Sequence, residues 1–155
     1  MNGERRKFMK LAGTATAFAI AMAAGLARTG KAWAQSWNKA AFESRAVADV
    51  LKLLGATGAT ESKDIMITAP DIAENGAVVP VEVTSRIPGT EAISIIAEKN
   101  PFPLAATVEI SNGGEPYTYV RIKMGETANV RALVRAGGKY YTAVKEVKVT
   151  VGGCG

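Results

Sequence analysis

The sequence predicts an all-β protein: an Ig-like antiparallel β-sandwich with an N-terminal helix and a flexible C-terminal arm. Three observations carry this. From Ile65 onward the apolar residues recur every second position in seven short runs, the period of half-buried strands. Turn residues (Pro88-Gly89, Asn112-Gly113-Gly114, Gly137-Gly138) separate runs at the spacing of sandwich strands. The last five residues, Val151-Gly152-Gly153-Cys154-Gly155, contain no side chain able to continue a strand after Val151.

The chain begins with a different signal. Glu4-Arg5-Arg6-Lys7-Phe8-Met9-Lys10 precedes an uncharged stretch from Leu11 to Leu26, and Ala32-Trp33-Ala34 supplies a small-x-small cleavage site before Gln35. A basic start, an apolar middle and A-x-A make residues 1–34 a cleaved export signal. The middle is rich in Ala, Gly and Thr, which disfavours a permanent membrane span. Arg5-Arg6 followed by Lys7-Phe8-Met9-Lys10 resembles the twin-arginine export motif, with Glu4 standing where that motif has Ser or Thr. The expected destination is the bacterial periplasm.

Removing that segment changes the electrostatic reading. The whole chain has 19 Lys and Arg against 14 Asp and Glu. Residues 1–34 hold six of the basic side chains (Arg5, Arg6, Lys7, Lys10, Arg28, Lys31) and one acid, Glu4, which leaves 13 of each in residues 35–155. The basic excess therefore argues for no nucleic-acid partner. There is no histidine, which excludes Ser-His and Cys-His pairs, His-ligated metals and C-x-x-C-H haem attachment. A single cysteine forms neither an internal disulfide nor a redox pair. No cofactor is expected.

In residues 35–151, Trp37, Ala41, Phe42, Arg45, Val47, Val50, Leu51 and Leu54 follow helical spacing, which predicts one helix over 37–54 with Gly55 as its C′ residue. Ala56 to Ser62 reads as a turn-rich link. The strands follow: Ile65–Thr68; Val79–Thr84, where Pro80 points to an edge or a bulge; Ala92–Ala97; Leu104–Ile110; Tyr117–Met124; Thr127–Arg135; and Lys139–Val151. Gly113-Gly114 and Gly137-Gly138 read as turns, since neither opens a helix or precedes a P-loop lysine. Asp71, Glu74 and Asn75 share one loop without EF-hand spacing and read as a turn or a partner contact. Phe102, between Pro101 and Pro103, reads equally as a partner-facing anchor or a hydrophobic plug. Arg121 and Lys123 read as a solvated strand face.

Cys154 is the residue the rest must explain. Its neighbours Gly152, Gly153 and Gly155 offer no packing, so a buried structural role is unfavoured and a reactive or cross-linking thiol is expected. Glycine permits backbone conformations closed to other residues, which predicts a thin, flexible arm over 152–155. Three residues past Val151 reach about 10 Å. No cation adjacent in sequence lowers the thiol pKa, so the chain lacks an activated nucleophile of its own and is not expected to be an enzyme.

These residues converge on a known family. The export leader, Pro70-Asp71-Ile72-Ala73-Glu74-Asn75-Gly76, Glu98-Lys99-Asn100-Pro101-Phe102-Pro103-Leu104, Arg121-Ile122-Lys123-Met124, and Lys145-Glu146-Val147-Lys148-Val149 leading to Gly152-Gly153-Cys154-Gly155 resemble SoxY. SoxY is the sulfur-carrier subunit of the thiosulfate-oxidising Sox system. The family tail reads Gly-Gly-Cys-Gly-Gly; here one glycine follows the cysteine. The resemblance implies a tight heterodimer with SoxZ and sulfur intermediates held covalently on Cys154. It also implies transient docking to SoxAX, SoxB and, where present, SoxCD. A rival reading keeps an exported Ig-like interaction module whose Cys154 forms only an intermolecular disulfide.

Overall fold

The computed structural model describes residues 37–111 and 113–151. The export segment 1–34 and the arm residues Gly152, Gly153, Cys154 and Gly155 lie outside the described residues.

Among the described residues, two short helices come first. Helix α1 spans Lys39–Glu43, and Asn38 caps it by accepting the Ala41 N–H at 3.1 Å. Helix α2 spans Val47–Leu53. The single helix expected over 37–54 is thus two, because Ser44 and Ala46 are both extended. Arg45, in the break, places its guanidinium 4.9 Å from the centre of the Phe102 ring, a cation–π contact that a continuous helix would have to re-aim. Gly55 follows α2 with φ +76°, the left-handed value of a C′ glycine.

All seven expected strands are present, joined by two that sequence reading missed. In order they are β1 (Thr60–Glu61), β2 (Ile65–Thr68), β3 (Ile72–Ala73), β4 (Val79–Ser85), β5 (Thr90–Ala97), β6 (Leu104–Glu109), β7 (Tyr117–Ile122), β8 (Ala128–Ala136) and β9 (Lys139–Val149). One sheet runs β1-β9-β8-β5-β6, with β3 also on β9; the other runs β2-β4-β7. The long pairings are antiparallel, whereas β1 and β3 join β9 in parallel. Residues 60–73 therefore run beside β9, leave it to pair as β2 with β4, and return to it as β3. Pro80 lies beyond the end of β2, where β4 is paired only with β7, as an edge-tolerated proline should be.

The period-two pattern explains why two sheets pack. Val79, Val81 and Val83 of β4 and Ile122 of β7 face Ile93, Ile95, Val130, Val134 and Val147 of the larger sheet, and all are buried in one core. Fully burying each such side chain contributes about 1.5–3 kcal/mol. The opposite face of β5 and β6 offers Ile96 and Leu104, which bury Ala41 and Val50 of the helices. Strand β5 is thus buried on both faces from Ala92 through Ala97. Gly137 and Gly138, both at positive φ, close the two-residue β8–β9 hairpin with Ala136 opposite Lys139.

Candidate functional site

Strand β9 is the last element among the described residues and precedes Cys154 in the sequence. Its start is fixed by the hairpin. Its end is held by the loop around β3. Within β9 and just past it, the Lys148 N–H donates to the Asp71 carbonyl at 3.0 Å and the Thr150 N–H to the Ala73 carbonyl at 3.1 Å. The Thr150 hydroxyl donates to the Glu74 carbonyl at 2.9 Å. The Val151 carbonyl accepts the Gly76 N–H at 2.7 Å. From the β8 side, the Val149 N–H donates to Thr127 Oγ1 at 2.9 Å. Lys145 Nζ lies 3.0 Å from Asp71 Oδ1. Every residue from Lys148 to Val151 is therefore tied down, and Cys154 follows three positions later.

A second tier supports this clasp. The Gly76 carbonyl accepts the Met124 N–H at 2.7 Å, so Gly76 bridges the end of β9 to the segment after β7. That segment is in turn gripped by Asn100, whose Nδ2 donates to the Lys123 carbonyl at 2.7 Å and whose Oδ1 accepts the Gly125 N–H at 3.3 Å. Glu98 binds Arg131 Nε and Nη2 through Oε1 at 2.8 and 2.6 Å, and Oε2 accepts from Asn129 Nδ2 at 3.1 Å. The pair is largely covered, so its geometry is better defined than that of an exposed ion pair. Asn75 Oδ1 accepts the Ala77 N–H at 2.8 Å, a local turn that aims Gly76 at both partners. The loop of Asp71, Glu74 and Asn75 is accordingly built of turn bonds and a strand clasp. Among the described residues no group of Cys, Asp and Glu is arranged to hold a metal.

A family model described as sulfur oxidation protein SoxY matches residues 50–154. The chain belongs to the SoxY family. Among solved structures, the sulfur carrier protein SoxY from Chlorobium limicola f thiosulfatophilum is 41% identical, with a TM-score of 0.63. That match covers 74% of this chain and 100% of the other. A superoxide reductase (neelaredoxin) from Ignicoccus hospitalis is 22% identical at a TM-score of 0.49, over 55% of this chain and 79% of its own. Among curated proteins none matches.

Four of the SoxY-like segments, 70–76, 98–104, 121–124 and 145–149, lie within the described residues and meet at one place. The loop 70–76 clasps β9, Asn100 holds residues 123–125, and Met124 bonds back to Gly76. Sequence reading named the segments but not this convergence, because, Asn100 aside, it runs through backbone groups. Thr127 was missed as well; its only sequence signal is a hydroxyl at the head of a strand. Phe102 sits half-exposed under Arg45, neither fully buried nor free of its own chain. Arg121 and Lys123 are exposed, alternating with buried Ile122 and Met124 as expected.

Proposed function

We propose that the chain is a periplasmic carrier that holds sulfur intermediates covalently on Cys154 and presents them to partner enzymes. The observation that carries this reading is the clasped end of β9. A rigid strand end at Val151 followed by Gly152-Gly153-Cys154-Gly155 suits a thiol delivered at a defined distance from a fixed base. Membership of the SoxY family, with the match running through Cys154, supports the same reading. So does the likeness to the Chlorobium limicola relative, itself a sulfur carrier protein.

On this reading, residues 1–34 direct export by the twin-arginine route and are removed, residues 35–151 are the scaffold, and 152–155 are the arm. Loading joins the Cys154 sulfur to the outer sulfur of thiosulfate, with loss of one proton and two electrons to a cytochrome acceptor. The resemblance assigns that oxidation to SoxAX, sulfate release to SoxB and sulfane oxidation to SoxCD, with SoxZ as the standing partner. The carrier contributes tethering, which keeps the intermediate at high effective concentration between enzymes.

The test is thiosulfate oxidation reconstituted with the partner enzymes. Cys154→Ser is expected to abolish it, and a Cys154→Ser protein with wild-type activity would refute the carrier reading. Non-reducing gels address the disulfide rival: a disulfide dimer as the sole modified species in active preparations would favour it.

A further inference from the structure

The edge of a β-sheet carries unpaired backbone N–H and C=O groups, and proteins usually blunt it. Three of the sheet edges here are blunted. Strand β9 is flanked by β1 near one end and β3 near the other. Strand β2 is only four residues long. Strand β6 has a register break against β5 between Ile95 and Ile96. Strand β7 has none of these devices. Its residues, Tyr117-Thr118-Tyr119-Val120-Arg121-Ile122, include no proline and pair with β4 in unbroken register.

One bond settles which backbone groups of β7 face outward. The Ser85 N–H donates to the Pro116 carbonyl at 2.9 Å, and hydrogen-bonded pairs recur at every second residue of an antiparallel ladder. Thr118, Val120 and Ile122 therefore bond to β4, while the backbone groups of Tyr117, Tyr119 and Arg121 point to the open side. The edge is closed at one end by Asn100 Nδ2 on the Lys123 carbonyl. At the other end the Tyr117 N–H donates to the Glu115 carbonyl at 2.8 Å. Between them the Tyr117 carbonyl and both groups of Tyr119 and Arg121 have no partner among the described residues.

This edge is complementary to itself. Counting outward from Tyr119, Tyr117 and Glu115 stand two and four positions before it, and Arg121 and Lys123 two and four after. An antiparallel second copy centred on Tyr119 sets Arg121 opposite the other copy's Tyr117, and Lys123 opposite its Glu115. Such cross-strand pairs of opposite charge, and of cation with aromatic ring, are favourable. Glu115, Arg121 and Lys123 are exposed, and among the described residues none has an ion-pair partner. Tyr119 is 53% exposed.

We propose that β7 is a pairing edge at which two copies of this chain meet, antiparallel about Tyr119, joining their three-stranded sheets into one. The Tyr119 N–H of each copy donates to the Tyr119 carbonyl of the other, and the Arg121 N–H to the other's Tyr117 carbonyl. A two-fold pair of this kind closes on itself. It also sets the two Met124 residues, each tied through Gly76 to Val151, at opposite ends of the shared pair of strands. The pairing uses neither Cys154 nor a disulfide, so it stands or falls apart from the carrier reading.

The experiment is sedimentation equilibrium of the full chain, with whatever subunit co-purifies, across a dilution series in reductant. Particles holding two copies of this chain, dissociating on dilution, are expected. Tyr119→Pro removes the central donor, whose N–H takes no part in the β4 ladder, and is expected to leave one copy per particle. Lys123→Glu and Glu115→Lys each set like charges opposite one another twice by symmetry and are expected to weaken the dimer about tenfold. The double exchange Glu115→Lys/Lys123→Glu restores opposite pairs and is expected to return the wild-type dissociation constant. That recovery is decisive even if Tyr119→Pro disturbs folding. One copy of this chain per particle at every concentration, alone or beside a different subunit, would overturn the proposal. So would a dimer that survives Tyr119→Pro, or single charge reversals whose losses add in the double variant.

Discussion

Strands β1 and β3 look alike: two residues each, parallel, on the same edge of β9. Strand β1 pairs Thr60 and Glu61 with Tyr141 and Thr142 near the hairpin, and both its residues are exposed. Beyond the ladder it adds one bond, from the Ser62 N–H to the Thr142 carbonyl at 2.9 Å. Strand β3 pairs Ile72 and Ala73 with Lys148 and Val149, and Ala73 is buried in the main core. Around it gather the Thr150 and Gly76 bonds and the Asp71–Lys145 ion pair. The hairpin end of β9 is already fixed by the β8 ladder and the Gly137-Gly138 turn, so β1 has little left to restrain. The far end would fray without β3. Anchoring is concentrated where the chain leaves the sheet toward Cys154.

The same substitution at both bridges should separate them most. Ala73→Asp buries a carboxylate in the core and is expected to cost about 3 kcal/mol, whereas Thr60→Asp, exposed, should stay within about 0.5 kcal/mol. Urea unfolding midpoints measure both, and equal losses would break the comparison. Thr127→Ala removes the acceptor of the half-buried Val149 N–H and is expected to cost about 1–2 kcal/mol. Hydrogen exchange should place the extra opening at residues 149–151, with the hairpin unchanged. Thr150→Val deletes only the exposed hydroxyl bond to Glu74 and is expected to cost about 0.5 kcal/mol. Its thermal midpoint should be nearly native, while exchange at the Thr150 amide rises above that of Ser62 only if the clasp depends on the hydroxyl.

Much of this architecture was legible from residue order. Alternating Val79, Val81, Val83 and Val130, Ala132, Val134 announced strands because burial on one face enforces period two. The unbroken run Ala92–Ala97 read as a strand as well, and its two-sided burial follows from the helices that cover Ile96. The break at residues 44–46 was not legible, since the apolar stripe continues across it and the contact that favours it, Arg45 on Phe102, joins distant segments. Strands β1 and β3 left no pattern, because two residues are too few to show a period and their partners lie about 80 positions away in the sequence. The clasp escaped for a related reason. Apart from the side-chain bonds of Asn75, Glu98, Asn100, Thr127 and Thr150 and the Asp71–Lys145 ion pair, its bonds join backbone groups that any side chain would leave in place. Cys154, by contrast, stands out in the sequence as the one cysteine, set among glycines.

The carrier reading is tested most directly by intact mass spectrometry with peptide mapping after incubation with thiosulfate and the loading enzyme. A thiosulfate-derived adduct confined to the peptide containing Cys154, removed by reductant and absent from Cys154→Ser, is the result expected. An unmodified Cys154 under conditions where thiosulfate is consumed, or an adduct that persists in Cys154→Ser, would contradict it.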